Sequence, residues 1–265
     1  MNPHGFQLTV YGTRGSMTVS GPDRAVFGGA TSCYLAEIGK ESIFLDAGSG
    51  LLNAPVDFQK PPVILISHLH LDHVLGLGMY PRLATKGCTT KLYMPAKSAS
   101  EARRMLDSLY SPPFWPLSLT EYDGNLQVKP MRLPFRIGNV TVDGMPGNHP
   151  GDSTIFRLTG EGKSLVYVTD YEHEDTKFLN LISFAREADL LMYDGQFTTK
   201  EYKKRKGFGH STAEKGLELM EKSGAKQLLL IHHEPRRTDR ELLAMEAQLG
   251  RDDVHFARQG ERIIL

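Results

Sequence analysis

The hexapeptide His68-Leu69-His70-Leu71-Asp72-His73 follows directly on the apolar run Pro62-Val63-Ile64-Leu65-Ile66, and few loops constrain a fold as strongly. Each imidazole or carboxylate is costly to bury unless something pairs with it. A divalent metal is the simplest partner, because neutral imidazole and carboxylate oxygen are its natural ligands. The preceding run is β-branched and bounded by prolines, so it reads as a buried strand ending at Ser67. Ligands at the mouth of a strand sit on a rigid rim, where α/β architectures tend to place their chemistry. A metal-free surface cluster of histidines is the bland alternative.

In an extended segment His68 and His70 point the same way, because side chains alternate. Asp72 and His73 lie beyond a bend and face a second position. The spacing therefore suggests two ions, one per pair, roughly 3.5–4 Å apart and able to share a hydroxide. Two ions need more ligands than four. The chain has ten histidines, of which three lie in the hexapeptide. Other candidates are residues that also end or follow a strand-like run. His149 lies in the tight loop Pro146-Gly147-Asn148-His149-Pro150-Gly151, Asp170 ends Ser164–Thr169, and His232 ends Gln227–Ile231. His4, His173 and His255 lack that context and read as solvated surface residues.

His210 is different. Gly209-His210-Ser211-Thr212-Ala213-Glu214 carries a capping-box pattern, Ser211 with Glu214, so a helix is predicted just after Ser211. Ala213, Leu217 and Met220 then recur at helical spacing. His210 stands before that helix N-terminus, where the dipole and free N–H groups favour an anion. It is either a packing residue at the cap, or a phosphate contact or general acid.

At nearly full length the chain resembles the metallo-β-lactamase-fold hydrolases, and within them the ribonuclease Z and phosphodiesterase branch. The matching segments are Tyr11–Ser16, Thr31–Leu35, Phe44–Gly50, His68–His73, Asn148–Pro150, Thr169-Asp170, Gly209–Thr212 and Ile231–Arg236. The resemblance implies that His68, His70 and His149 hold one metal and Asp72, His73 and His232 the other, with Asp170 bridging. It implies that His210 contacts the scissile phosphate, and it leaves His233 without a role. Asp72 would also orient the nucleophile. The implied cofactor is a pair of divalent ions; zinc fits the mixed N/O set best, and manganese or iron would also fit.

The resemblance implies one α/β domain over residues 1–265, an αββα sandwich. Periodicity alone supports only a mixed αβ fold, with ten strand-like runs and helices near Ala99–Leu109, Thr176–Arg186, Thr212–Lys222 and Asp239–Leu249. With 40% apolar residues, the chain can bury one substantial core. No run approaches the roughly 18 apolar residues of a membrane span. No secretory leader is legible, and only Cys33 and Cys88 occur, so a reduced cytoplasmic protein is expected. Cys33 reads as packing rather than chemistry.

The expected function is hydrolysis of a small phosphodiester or cyclic nucleotide by a hydroxide held between the two metals. Net charge is zero, from 31 basic and 31 acidic residues, and no counterpart of the basic arm of ribonuclease Z is visible. Both argue against a tRNA substrate; no membrane partner is expected, and a homodimer is left open. The one basic concentration, Lys200–Lys206, is either a solvated loop or a guide for an anion. Arg14 reads as a phosphate contact or a surface ion pair. Phe114 and Trp115 stack on a base, close a pocket, or simply pack their loop. Asp46 reads as ordering a turn under the metal loop. Rival functions are a thioester, lactone or other acyl hydrolase on the same metals, and a non-catalytic metal-bound sensor.

Overall fold

The structure is a computed structural model that describes residues 5–265; the expectation for His4 lies outside the described residues. The strands are β1 (Phe6–Gly12), β2 (Cys33–Ile38), β3 (Glu41–Leu45), β4 (Val63–Leu65), β5 (Thr89–Met94), β6 (Asn125–Pro130) and β7 (Phe135–Ile137). They continue as β8 (Val140–Pro146), β9 (Thr154–Gly160), β10 (Lys163–Val168), β11 (Leu190–Asp194), β12 (Leu228–Ile231), β13 (Val254–Phe256) and β14 (Arg262–Ile264). The helices are α1 (Leu71–Val74), α2 (Ala99–Leu109), α3 (Asp175–Phe184), α4 (Thr199–Tyr202), α5 (Ala213–Ser223) and α6 (Asp239–Leu249).

Two seven-stranded sheets form, in the orders β14-β1-β2-β3-β4-β5-β6 and β13-β12-β11-β10-β9-β8-β7. Period-two alternation sorts the side chains into layers. Tyr34, Leu45, Leu65, Leu165, Tyr167, Met192 and Ile231 meet between the sheets. Their neighbours Leu35, Phe44 and Ile64 pack on the outer face of the first sheet with residues of α2, such as Ala102 and Leu106. Val166, Leu191 and Leu230 pack on the outer face of the second with residues of α3, α5 and α6, such as Leu181, Leu219 and Leu242. Sheets buried on both faces produce continuous apolar runs, which is why β4, β10 and β12 were visible in the sequence. The expected αββα sandwich is therefore the observed architecture. No helix among the described residues is long and apolar enough to cross a membrane.

Strand direction places the site. Strands β3 to β6 run parallel, as do β10 to β13. Their C-terminal ends emerge along common edges, where open α/β sheets expose their chemistry. The strands that periodicity misses are β7, β8, β13 and β14. Three of these have only three residues, and β8 alternates Val140 and Val142 with Thr141 and Asp143 on an edge hairpin.

Several expectations are corrected here. Helix α5 is capped by Thr212, whose side chain accepts from Lys215 N, because Ser211 Oγ is engaged by Tyr193 Oη at 2.9 Å. Arg14 is neither a phosphate contact nor a surface ion pair. It is fully buried, and donates to the carbonyls of Gly28, Glu234 and Arg237, tying the N-terminal loop to the segment after β12. His173 and His255 are half-buried; His173 packs edge-on against Phe178, and His255 bonds Glu261. Cys33 is a core residue as expected.

Candidate metal centre

The expected ligands come together at the edge shared by the two sheets. His68 and the loop through α1 follow β4, Asp170 follows β10 and His232 follows β12. Asp170 (φ +46°) and His232 (φ +60°) leave their strands in the left-handed region, a strained turn for residues with a side chain and one that clusters at functional sites.

Asp170 is the centre of the arrangement. Its Oδ2 lies 3.5 Å from both His68 Nε2 and His149 Nε2. Its Oδ1 lies 3.2 Å from His73 Nε2 and 3.1 Å from His232 Nε2. One carboxylate therefore faces two groups of imidazoles, one per oxygen. His70 Nδ1 completes the first group, 3.1 Å from His149 Nε2. Asp72 Oδ2 completes the second, 3.3 Å from His73 Nε2 and 3.1 Å from His232 Nε2. All seven expected residues are thus brought together.

The donor set fits divalent cations. His68 Nε2 and His73 Nε2 are buried and carry no hydrogen bond, a costly state for imidazole nitrogens unless a ligand engages them. Burial, followed by the neighbouring His73, pushes His68 down to about 2, so it presents a neutral ring with a lone pair. Burial opposes charge on His232 as well, yet Asp170, Asp72 and Asp194 outweigh it and lift the ring to about 9. The carboxylates thus favour positive charge at this position.

Outer partners fix the ligands, as metal sites require. Asp46 (φ +59°) is not a ligand and does more than order a turn. Its Oδ2 accepts from Tyr167 Oη and Ser67 Oγ, each at 2.8 Å, and lies 2.7 Å from His73 Nδ1, which turns His73 Nε2 towards Asp170. Ser16 N donates to Asp72 Oδ2 at 2.6 Å. Gly15 is needed beside it, because a Cβ there would sit 2.3 Å from His232 Nδ1.

His210 lies at the same centre. Its ring stacks on His232 at 4.9 Å, and its Nδ1 lies 2.9 Å from Asp194 Oδ2. Asp194 and Glu172 are the residues that sequence reasoning missed. Asp194 ends β11 as Asp170 follows β10, so the strand-end rule already contained its signal. Glu172 follows no strand and carries none.

Other marked residues fall outside the centre. His233 Nε2 bonds Ala257 O at 2.8 Å, and burial pushes its ring down to about 3; it is a neutral core histidine between Phe27 and Phe256. Trp115 packs its own loop, donating to Tyr122 Oη at 2.7 Å, while Phe114 is exposed. In the basic run, Arg205 lies over the Phe197 ring at 5.0 Å, and Phe197 meets His210 edge-on. Lys203, Lys204 and Lys206 are exposed.

A family profile described as beta-lactamase superfamily domain matches residues 42–233, a span that runs from β3 to the His232 turn and takes in the whole cluster. The chain belongs to this superfamily. A ribonuclease Z of Bradyrhizobium is 28% identical over 90% of this chain and 93% of its own length. In structure this metallo-hydrolase superfamily member is similar to the metallo-beta-lactamase fold protein YhfI of Bacillus subtilis, with TM-score 0.74, 22% identity and 98% and 100% coverage. It is also similar to a diphosphatase of the PhnP family, with TM-score 0.71, 18% identity and 97% coverage of both chains. The expectation against a tRNA substrate finds no support here, since curated relatives carry the ribonuclease Z name. Neutral net charge, on which it leaned, does not preclude a local anion-binding face.

Proposed function

We propose that this superfamily member is a metal-dependent phosphodiesterase acting on a short phosphodiester or cyclic nucleotide. His68, His70 and His149 would hold one divalent ion, Asp72, His73 and His232 the second, with Asp170 between them. Zinc is the proposed metal, from the imidazole–carboxylate donor set. Bound there, the ions would supply a water of lowered pKa and offset charge on phosphoryl oxygens.

The remaining work falls to side chains. Asp72 Oδ2, fixed by the Ser16 N–H, orients the attacking water. His210, held through Nδ1 by Asp194, keeps Nε2 for the leaving oxygen and gives it a proton. The observation that carries the reading is this His210–Asp194 pair beside the Asp170 cluster. His210 and Asp194 also lie within ligand reach of Asp170 and His232; as an imidazole outside the two groups assigned above, oriented by a buried carboxylate, His210 suits protonation of an alkoxide, whereas a thiolate leaves without that help. The ribonuclease and diphosphatase names among the similar proteins support a phosphate ester as substrate.

The test is turnover of bis-p-nitrophenyl phosphate, cyclic nucleotides, a short RNA and a thioester, each with zinc or manganese added. Hydrolysis of the first two is expected, with the thioester slow. Turnover of the thioester alone would replace the phosphodiesterase reading with an acyl hydrolase, and cleavage of RNA alone would correct the proposed substrate size.

A further inference from the structure

Glu172 is buried two residues beyond Asp170, yet its carboxylate bonds the loop that leads to His210 and belongs to none of the ligand groups. Its Oε1 accepts from Gly207 N at 2.7 Å and from Tyr202 Oη at 3.1 Å. Its Oε2 accepts from Gly207 N at 2.8 Å and Gly209 N at 2.9 Å. This ring is made of donors only, which suits a carboxylate because it accepts at both oxygens and donates at neither. The backbone of the same residue clasps the opposite loop: Glu172 N donates to Asn148 O at 2.8 Å, and Asn148 Nδ2 donates to Glu172 O at 2.8 Å. The two loops then close on each other, for His149 Nδ1 donates to Gly209 O at 2.9 Å.

The loop that Glu172 gathers turns on two glycines. Gly207 (φ +91°) and Gly209 (φ +86°) hold left-handed conformations that glycine adopts freely and therefore also leaves freely. A Cβ on Gly209 would sit 2.0 Å from His149 Nδ1, so the loop runs in direct contact with a ligand ring. His210 follows immediately.

We propose that Glu172 is a positioning residue that sets the spacing between His149 and His210, an inference that rests on the roles just given to those two histidines. It touches neither substrate nor metal. By accepting the Gly207 and Gly209 N–H groups it fixes the Gly209 carbonyl that orients His149, and the chain direction that delivers His210. Outer partners of this kind typically alter metal affinity or activity by 10–100-fold.

The test compares Glu172→Met, which keeps the length and removes both acceptors, with Glu172→Gln, which keeps one acceptor oxygen. Three quantities are read: amide exchange at Gly207 and Gly209, zinc affinity by chelator competition, and kcat and KM on whichever substrate the wild type hydrolyses. In Glu172→Met, exchange at the two amides is expected to accelerate at least about 10-fold. Zinc affinity and kcat are expected to fall about 10–100-fold, with KM little changed; Glu172→Gln recovers part of each. Unchanged exchange at both amides would overturn the proposal, and so would faster exchange with zinc affinity and kcat as in the wild type. If Glu172→Met does not fold, the partial losses expected in Glu172→Gln decide the matter alone. Exchange and zinc affinity need no substrate, so a wild type inactive on every phosphodiester would fail the functional reading and still leave Glu172 decided.

Discussion

Replacing Asp170 with alanine is expected to abolish tight binding of both metals and to lower turnover by on the order of 10³-fold or more, the scale of removing a preorganised electrostatic group from a reaction centre. The reason is geometric. Asp170 offers one oxygen to His68 and His149 and the other to His73 and His232, so its loss removes a carboxylate oxygen from each group at once. Asp170 is buried, so urea unfolding of the variant is read first, to establish that it folds, before its metal content is measured. Metal-free protein gives a second readout. His232, raised from 6.5 to about 9 against the pull of burial, contributes stability that is fully present below pH 6.5 and is lost as pH rises through about 9. Asp170 is the largest favourable contributor to that shift, so urea unfolding of the metal-free variant between pH 6 and 9 should show a flatter profile than metal-free wild type. Wild-type metal content in Asp170→Ala would rule out the bridging role.

Replacing His210 with alanine is expected to reduce kcat on a phosphodiester by roughly 10²–10⁴-fold, the range for loss of a general acid, with metal content unchanged. Asp194→Asn keeps the shape of the partner but loses the charge that holds the His210 tautomer, and a smaller loss is expected. The split between kcat and metal content separates His210 from the seven ligand candidates. Undiminished phosphodiester turnover in His210→Ala would assign His210 to loop packing, where it stacks on His232. A variant equally impaired on a thioester would point to His210 serving the centre as a whole.

What was legible in the chain follows from the physics of each signal. Doubly buried strands are continuous apolar runs, so β4, β10 and β12 and the residues following them stood out, and with them six of the seven ligand candidates. His149 stood out through its loop context. The helices α2 and α6 match their predicted limits, since Ser98 and Thr238 cap them. Asp194 ends β11, one residue beyond the run Leu190–Tyr193 that the sequence marks as a strand, so the strand-end rule reaches it although it was not singled out. Glu172 and Asp46 act through contacts with residues 35 and 27 positions away, and no local pattern encodes such pairings. The role expected of Arg14 failed for a related reason: glycine-flanked arginines look like anion contacts, but here the partners are carbonyls more than 200 residues downstream.

The central claim is a two-metal centre that hydrolyses phosphodiesters, and titration of metal-stripped protein with zinc tests it most directly, following bound metal and hydrolysis of bis-p-nitrophenyl phosphate together. The expected result is two ions per chain, with turnover rising to its plateau as the second site fills. Binding of fewer than one ion per chain, or two ions bound with no turnover by zinc or manganese, would contradict it.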